Sequence, residues 1–317
     1  MRYALMTEPQ QGLSYDENLA LARTAEASGI EAFFRSDHYA SFPGASGLPT
    51  TDAWTVLAGI ARETTTIRLG VLVSPVTFRI PGSFAKVIQT ADEMSGGRIE
   101  AGFGAGWNEE EHAQLGIPFP PLGTRYDMLA EELAIIHGLW TEPDGWSHEG
   151  EFWQVRGARR HGPIGHGGRR HPRIILGGKG GPRLSGLVAR YADEFNLNSA
   201  SPDDAKDAYA RVREACSEIG RDPEEVVFSA MTGVLVAETE ADLQARVADM
   251  LEALGLSADD GQAWLGARRG RWIMGTPDEA LERVAALERN GTERVMLQDF
   301  LPRDLDHVQL MGRIFRT

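Results

Sequence analysis

The chain has one cysteine, Cys216, and it falls in a helical run. A single thiol can form neither an intramolecular disulfide nor a cysteine-based metal cluster, which suits a reducing cytoplasm. Basic charge is also short: 32 Lys and Arg stand against 46 Asp and Glu, a formal net charge of −14. Nucleic acid and anionic membrane surfaces both need a basic face, so this balance argues against either partner. No apolar run approaches the ~20 residues of a membrane helix. The opening Met1-Arg2-Tyr3-Ala4-Leu5-Met6 passes straight into a strand pattern without the longer apolar stretch of a signal peptide, so no targeting signal is expected. What remains is a small-molecule protein of 317 residues, 42% of them apolar, enough for one large α/β domain or two of ordinary size.

Strand and helix patterns alternate along the chain. Residues 2–6 read as a buried strand and 16–28 as a helix, with Leu19, Ala22 and Ala25 at helical spacing and Gly29 as its stop. A second strand, 30–35, ends in Ser36-Asp37-His38-Tyr39, and the Gly-, Pro- and Ser-rich loop 40–51 is long enough to be a lid or a disordered tip. Helix 52–64, a β-branched strand at 67–73, a helix opened by Pro81 and running to 94, a strand at 98–103 and an amphipathic helix at 124–140 continue the rhythm. Residues 141–172 interrupt it with a small hairpin, 146–155, and a connector rich in Gly, His and Arg. Strands at 173–176, 193–198, 226–236 and 293–299 then alternate with helices at 184–191, 203–219, 240–254 and 276–289, before a terminal helix ending near Phe315. Thr276, Pro277 and Glu279 mark the start of one of these as N-cap, first turn and capping box. Residues 256–274 read as irregular.

Eight strands alternating with helices predict a single (β/α)₈ TIM barrel with insertions, one domain over 1–317 with no linker dividing it. An open doubly wound sheet is the competing fold, but the first strand ends in Thr7-Glu8-Pro9 without the Gly-x-Gly-x-x-Gly turn expected there. In a barrel, the loops following the strands converge on one mouth. That mouth would collect Ser36 to Tyr39, the strand end from Leu72 through Val73 and Ser74 to Arg79, the turn Gly104, Gly106, Trp107 and Asn108, the turn Gly177, Gly178, Lys179, Gly180 and Gly181, and Asn196 to Asn198.

The first glycine turn lets backbone N–H groups approach a ligand, and Trp107 with Asn108 offers a flat apolar face beside an amide, which suits a planar hydrogen-bonding ring. A tight connection with no ligand would use the same residues. In the second turn, the positive end of the following helix and the charges of Lys179 and Arg183 suit a phosphate. Asp37 and His38 form the best proton-handling pair, since imidazole titrates near working pH. Glu109, Glu110, Glu111 and His112 open a helix, where solvated capping is the expected role. His161, His166 and His171 are five apart with no carboxylate nearby, match no helix-based zinc motif, and read as loop residues, so no metal site is expected.

Ser36-Asp37-His38, Ser74-Pro75-Val76-Thr77-Phe78-Arg79, Gly104-Ala105-Gly106-Trp107-Asn108-Glu109-Glu110-Glu111 and Gly177-Gly178 together resemble the luciferase-like flavin and deazaflavin oxidoreductases. With Tyr191-Ala192-Asp193-Glu194-Phe195-Asn196 and Trp272-Ile273-Met274-Gly275-Thr276-Pro277, the chain looks most like the actinobacterial branch that uses coenzyme F420. The resemblance implies a dimeric (β/α)₈ barrel with the ring at its mouth, the phosphate near Gly177 to Gly181, and a bulged third strand with a non-proline cis peptide at Leu72-Val73. It also implies that Asp37 and His38 line the active site beside the ring. One departure stands out. The sugar-phosphate dehydrogenases of the family carry an acid glutamate where this chain has Trp107, so their reaction is not expected here.

The expected function is hydride transfer between F420 and a small organic substrate, with His38, assisted by Asp37, handling the proton. The alternative is an FMN-dependent monooxygenase that takes reduced flavin from a partner reductase and reacts with oxygen. A flavin-binding protein without turnover is a third reading. The apolar faces carrying Trp54, Leu57, Ile60, Val87 and Ile88 are the expected homodimer interface.

Overall fold

The computed structural model describes residues 1–42, 47–159, 169–199 and 201–315. Its elements run β1 (Arg2–Thr7), α1 (Tyr15–Ala27), β2 (Ala32–Arg35), α2 (Ala53–Glu63), β3 (Arg68–Pro75), α3 (Pro81–Ser95), β4 (Ile99–Gly104), α4 (Glu109–Leu115) and α5 (Leu122–Thr141). There follow β5 (Trp146–Glu149), β6 (Gln154–Ala158), β7 (Arg173–Gly178), α6 (Pro182–Tyr191), β8 (Glu194–Asn198), α7 (Pro202–Glu218), β9 (Val227–Val236) and α8 (Glu240–Ala253). The chain closes with α9 (Ala258–Arg269), β10 (Ile273–Gly275), α10 (Pro277–Arg289), β11 (Arg294–Asp299) and α11 (Leu305–Ile314).

Eight strands pair in parallel in the order β9-β11-β1-β2-β3-β4-β7-β8, and β8 pairs back onto β9 to close a (β/α)₈ barrel. The short β10 extends one edge of β9, and β5 with β6 makes a separate antiparallel hairpin. Each barrel strand is buried on both faces, which is why the strands read as apolar throughout rather than alternating. Inside, Met6, Phe34, Leu72, Ile175, Met231 and Met296 fill the lumen. Glycine makes room for them: a Cβ at Gly70 would lie 2.2 Å from the Phe34 ring. Strand β3 is bulged between Val71 and Ser74 and has a cis Leu72-Val73 peptide, as the resemblance implied.

The N-terminal end of the barrel is plugged by charge. Arg294 Nη1 donates to Glu100 at 2.6 Å and to Glu194 at 3.2 Å, while Arg68 and Arg173 reach the same two carboxylates from their own strand starts. Burial opposes ionisation of Glu100, but Arg294, Arg68 and Arg173 outweigh it and hold its pKa well below the ordinary carboxylate value. This plug keeps the polar chemistry of the opposite end separate from the base.

Two expectations fail. Residues 256–274 are not irregular: they form α9 and β10. Gly261, Gly266 and Gly270 weaken the helical signal, and the helix is held instead by packing, with Trp264 edge-on to Trp272 at 5.3 Å and Arg268 over Trp264 at 4.1 Å. Trp54, Leu57, Ile60 and Ile88, expected at a dimer interface, are buried in the chain's own core, because the apolar stripes of α2 and α3 face the strands. Of that set only Val87 is exposed.

Candidate active site

The site is built where β1, β2, β3, β4 and β7 end. After β2 the chain sends two neighbouring side chains to different partners. Asp37, fully buried, accepts Ser74 Oγ–H at 2.7 Å and two Arg79 N–H groups at 2.5 and 3.2 Å. Ser74 Oγ in turn accepts Trp54 Nε1–H at 2.9 Å. Arg79 also donates to Asp52 at 2.7 Å, and the Tyr39 hydroxyl donates to the same oxygen at 2.7 Å. Burial works against the Arg79 charge, but Asp37, Tyr39 and Asp52 overcome it and raise its pKa above the ordinary guanidinium value. Burial, with Asp37 nearby, likewise raises the Tyr39 hydroxyl and keeps it a donor.

Asp37 is therefore committed to Ser74 and Arg79, and the expected Asp37–His38 partnership does not form. His38 instead sets Nδ1 2.9 and 3.1 Å from the two carboxylate oxygens of Glu111, which also accepts the Tyr39 backbone N–H at 3.0 Å. Glu111 is 1% exposed, so its expected role as a solvated cap residue is corrected; only Glu109 and Glu110 of that run face solvent. The short helix α4 turns Glu111 and His112 inward together. Where Glu111 accepts from Nδ1–H of a neutral imidazole, Nε2 is left as the acceptor. Among the described residues Nε2 makes no hydrogen bond.

His112 ties α4 to the loop after β3. Its Nδ1–H donates to the Asn108 carbonyl at 2.6 Å, and Nε2 takes the Thr77 hydroxyl at 2.6 Å. The Trp107 ring, 63% exposed, stands edge-on to Phe42 at 5.0 Å and to His38 at 5.7 Å. Asn108 caps α4 through its backbone only. Arg125, a residue with no sequence signal, holds the turn after β4 by donating to the carbonyls of Ala105 at 2.9 Å and Gly106 at 3.4 Å.

Val73, in the bulge of β3, joins the two glycine turns. A Cβ at Gly104 would lie 2.5 Å from one Val73 methyl, and a Cβ at Gly177 2.7 Å from the other. Gly178 is required by Leu184, and Gly180 by Phe195 together with its φ of +66°. Gly181 differs: nothing lies within 4 Å of its Cβ position, and it caps α6 without a side-chain bond. The start of α6 therefore has free room beside Gly181 and no side-chain cap, as an anion-binding helix start requires. Lys179 Nζ rests on the Asn198 carbonyl at 2.9 Å, and burial, then Arg271, lowers its pKa.

Across the mouth, Glu8 is a buried carboxylate with no cation partner among the described residues. Gln298 Nε2 donates to it at 2.5 Å and Gln10 Nε2 at 2.8 Å, while Ser36 Oγ–H donates to Gln10 at 2.7 Å. In the sequence Glu111 reads only as a solvated cap residue and Glu8 carries no site role; the position of Glu8 at a strand's C-terminal end is the available signal. His171 stacks on Trp140 at 5.8 Å, while His161 and His166 lie outside the described residues.

A closed parallel barrel with a part-buried His–carboxylate pair, a bulged strand and an open helix start at its C-terminal mouth defines a (β/α)₈-barrel enzyme. The luciferase-like monooxygenase family model matches residues 1–294, and the chain belongs to that family of oxidoreductases. An uncharacterised Mycobacterium tuberculosis protein is 33% identical over 148 residues, 42% of this chain, and the match spans about half (51%) of that relative's length. A 5,10-methylenetetrahydromethanopterin reductase of Archaeoglobus fulgidus is 27% identical over 95% of both chains, and a pyrimidine monooxygenase of Agrobacterium fabrum is 28% identical over 81% of this chain and 69% of its own. Among solved structures, an F420-dependent secondary alcohol dehydrogenase in complex with an F420-acetone adduct superposes with a TM-score of 0.81 at 17% identity, covering 99% of this chain and 98% of that one. That likeness shows the fold. No helix among the described residues is long and apolar enough to cross a membrane.

Proposed function

We propose that the chain uses coenzyme F420 to move a hydride to or from a small organic substrate, as one barrel domain working as a cytoplasmic homodimer. The observation that carries this reading is the His38–Glu111 pair, 2.9 Å apart, set on the same mouth as the Val73, Gly104 and Gly177 contact. The reductase relative matched over 95% of both chains supports it. The mouth suits such a cofactor: Gly181 leaves the start of α6 open for a phosphate, and Trp107 and Val73 offer apolar surface to a flat ring.

When bound, the deazaflavin supplies a hydride donor and acceptor at its C5. His38 Nε2 then holds or delivers the proton that balances hydride transfer at a substrate oxygen. Glu111 keeps the imidazole in the Nδ1–H form that leaves Nε2 available. Asp37, tied to Ser74 and Arg79, fixes the β2 and β3 ends against each other. On the substrate side, Phe42 in the loop after β2 stands edge-on to His38 at 4.5 Å; the 141–172 insertion, expected to shape that side, instead joins the end of α5 to the start of β7, at the opposite end of the barrel, and its residues 160–168 lie outside the described residues.

The pyrimidine monooxygenase relative favours a second reading, an FMN-dependent monooxygenase supplied with reduced flavin by a reductase. Equilibrium titration of the protein with oxidised F420 and with FMN separates the two. Tighter F420 binding, followed by substrate-dependent reduction of F420 or oxidation of its reduced form, is expected; selective binding of FMN would overturn the F420 reading.

A further inference from the structure

We propose that Lys179 and Arg271 form a second anion subsite beside the glycine turn, for carboxylates that a cofactor's side chain carries beyond its phosphate. This rests on the reading of Gly177 to Gly181 as the phosphate cradle. The two cations come from distant parts of the chain, the turn after β7 and the link between α9 and β10, yet they rest on consecutive carbonyls. Lys179 Nζ donates to Asn198 O at 2.9 Å and Arg271 Nη1 to Ser199 O at 3.2 Å. Ser199 is the one described non-glycine residue with positive φ, 52°, which presents that loop to both.

Arg271 is held there by its backbone, since the Thr232 hydroxyl donates to its carbonyl at 2.8 Å. Its placement therefore depends on strand β9 and not on the exposed guanidinium. One carboxylate serves both cations: Asp204, 3.6 Å from Arg271, and it is already shared with Ser201 in the capping box of α7. Two cations against one engaged acid leave local positive charge in a chain of net charge −14. Burial first, and then repulsion from Arg271, lowers the Lys179 pKa, and an anion between the two cations relieves that repulsion. The α7 N-terminus is capped by Ser201, whereas the α6 N-terminus is open, so the phosphate and the extra carboxylates have separate places.

A flavin mononucleotide ends at its phosphate and would leave this subsite empty; F420 continues into a carboxylate-bearing tail. The test is fluorescence titration of the wild type and of Lys179→Ala, Arg271→Gln and Gly181→Val. The ligands are F420 with its glutamyl tail, the same deazaflavin trimmed to its phospholactyl form, and FMN. Lys179→Ala and Arg271→Gln are each expected to weaken tailed F420 by roughly tenfold at low salt, with less effect on the trimmed form and none on FMN. Equal loss for all ligands, or no loss for any, would overturn the subsite. If Gly181→Val weakens every ligand while the two cation variants change nothing, the phosphate cradle survives and only this inference falls. If Gly181→Val also changes nothing, or wild type binds no deazaflavin, the cradle reading fails with it.

Discussion

Glu132 on α5 is buried to 1% exposure, and neither of its oxygens has a hydrogen-bond partner among the described residues. Burial pushes its pKa up to about 8, with only a partial offset from the charge of Arg79. Folding therefore favours the protonated acid. The stability this contributes is fully present below the ordinary carboxyl pKa of 4.5 and is lost as pH rises through about 8. At about 1.36 kcal/mol per unit, the loss approaches roughly 5 kcal/mol above pH 8, about 3 kcal/mol at pH 7 and under about 1 kcal/mol at pH 5. Glu132→Met keeps most of the volume and removes the titration. Urea unfolding at pH 5, 7 and 9 should show the variant near wild type at the lowest pH and progressively more stable than it above, by about 3 kcal/mol at pH 7. A stability difference that does not vary with pH, or a variant less stable than wild type at pH 9, would refute the reasoning.

His38→Ala is expected to slow single-turnover hydride transfer by about 10²–10⁴-fold while leaving F420 affinity little changed; a rate within about tenfold of wild type across pH 5 to 9 would make His38 a packing residue instead. Glu26 accepts the backbone N–H groups of Thr65, Thr66 and Ile67 at 2.9, 2.5 and 2.9 Å, and these bonds outweigh burial to hold its pKa near 2. Glu26→Gln should therefore lose stability at neutral pH and match wild type as pH falls through about 2, because the carboxylate's contribution exists above its ordinary pKa and vanishes on protonation; thermal melts across that range check it. Sedimentation at micromolar concentration should show a dimer, and a lone monomer species would sink the oligomer proposal.

The sequence alone determined the architecture, because strand and helix periods are local. Runs such as Ile67 to Val73 can be stable only when covered on both faces, and eight of them alternating with amphipathic helices leave few closed solutions. Motif spacing also located the mouth: Ser36 to Tyr39, Ser74 to Arg79 and the two glycine turns all fall at strand ends, as the (β/α)₈ order requires. Helix α9 stayed hidden because its glycines dilute the pattern that Trp264, Leu265 and Trp272 complete only in three dimensions. The pairings inside the mouth were hidden for another reason. Asp37 adjoins His38 in sequence, but adjacent side chains on an extended segment diverge, so His38 finds its carboxylate 73 residues away in Glu111. Which of three consecutive glutamates turns inward is set by how α4 docks against the loops after β2 and β3. The convergence of Lys179 with Arg271 depends in the same way on β9 holding a backbone carbonyl, a contact that no local pattern encodes.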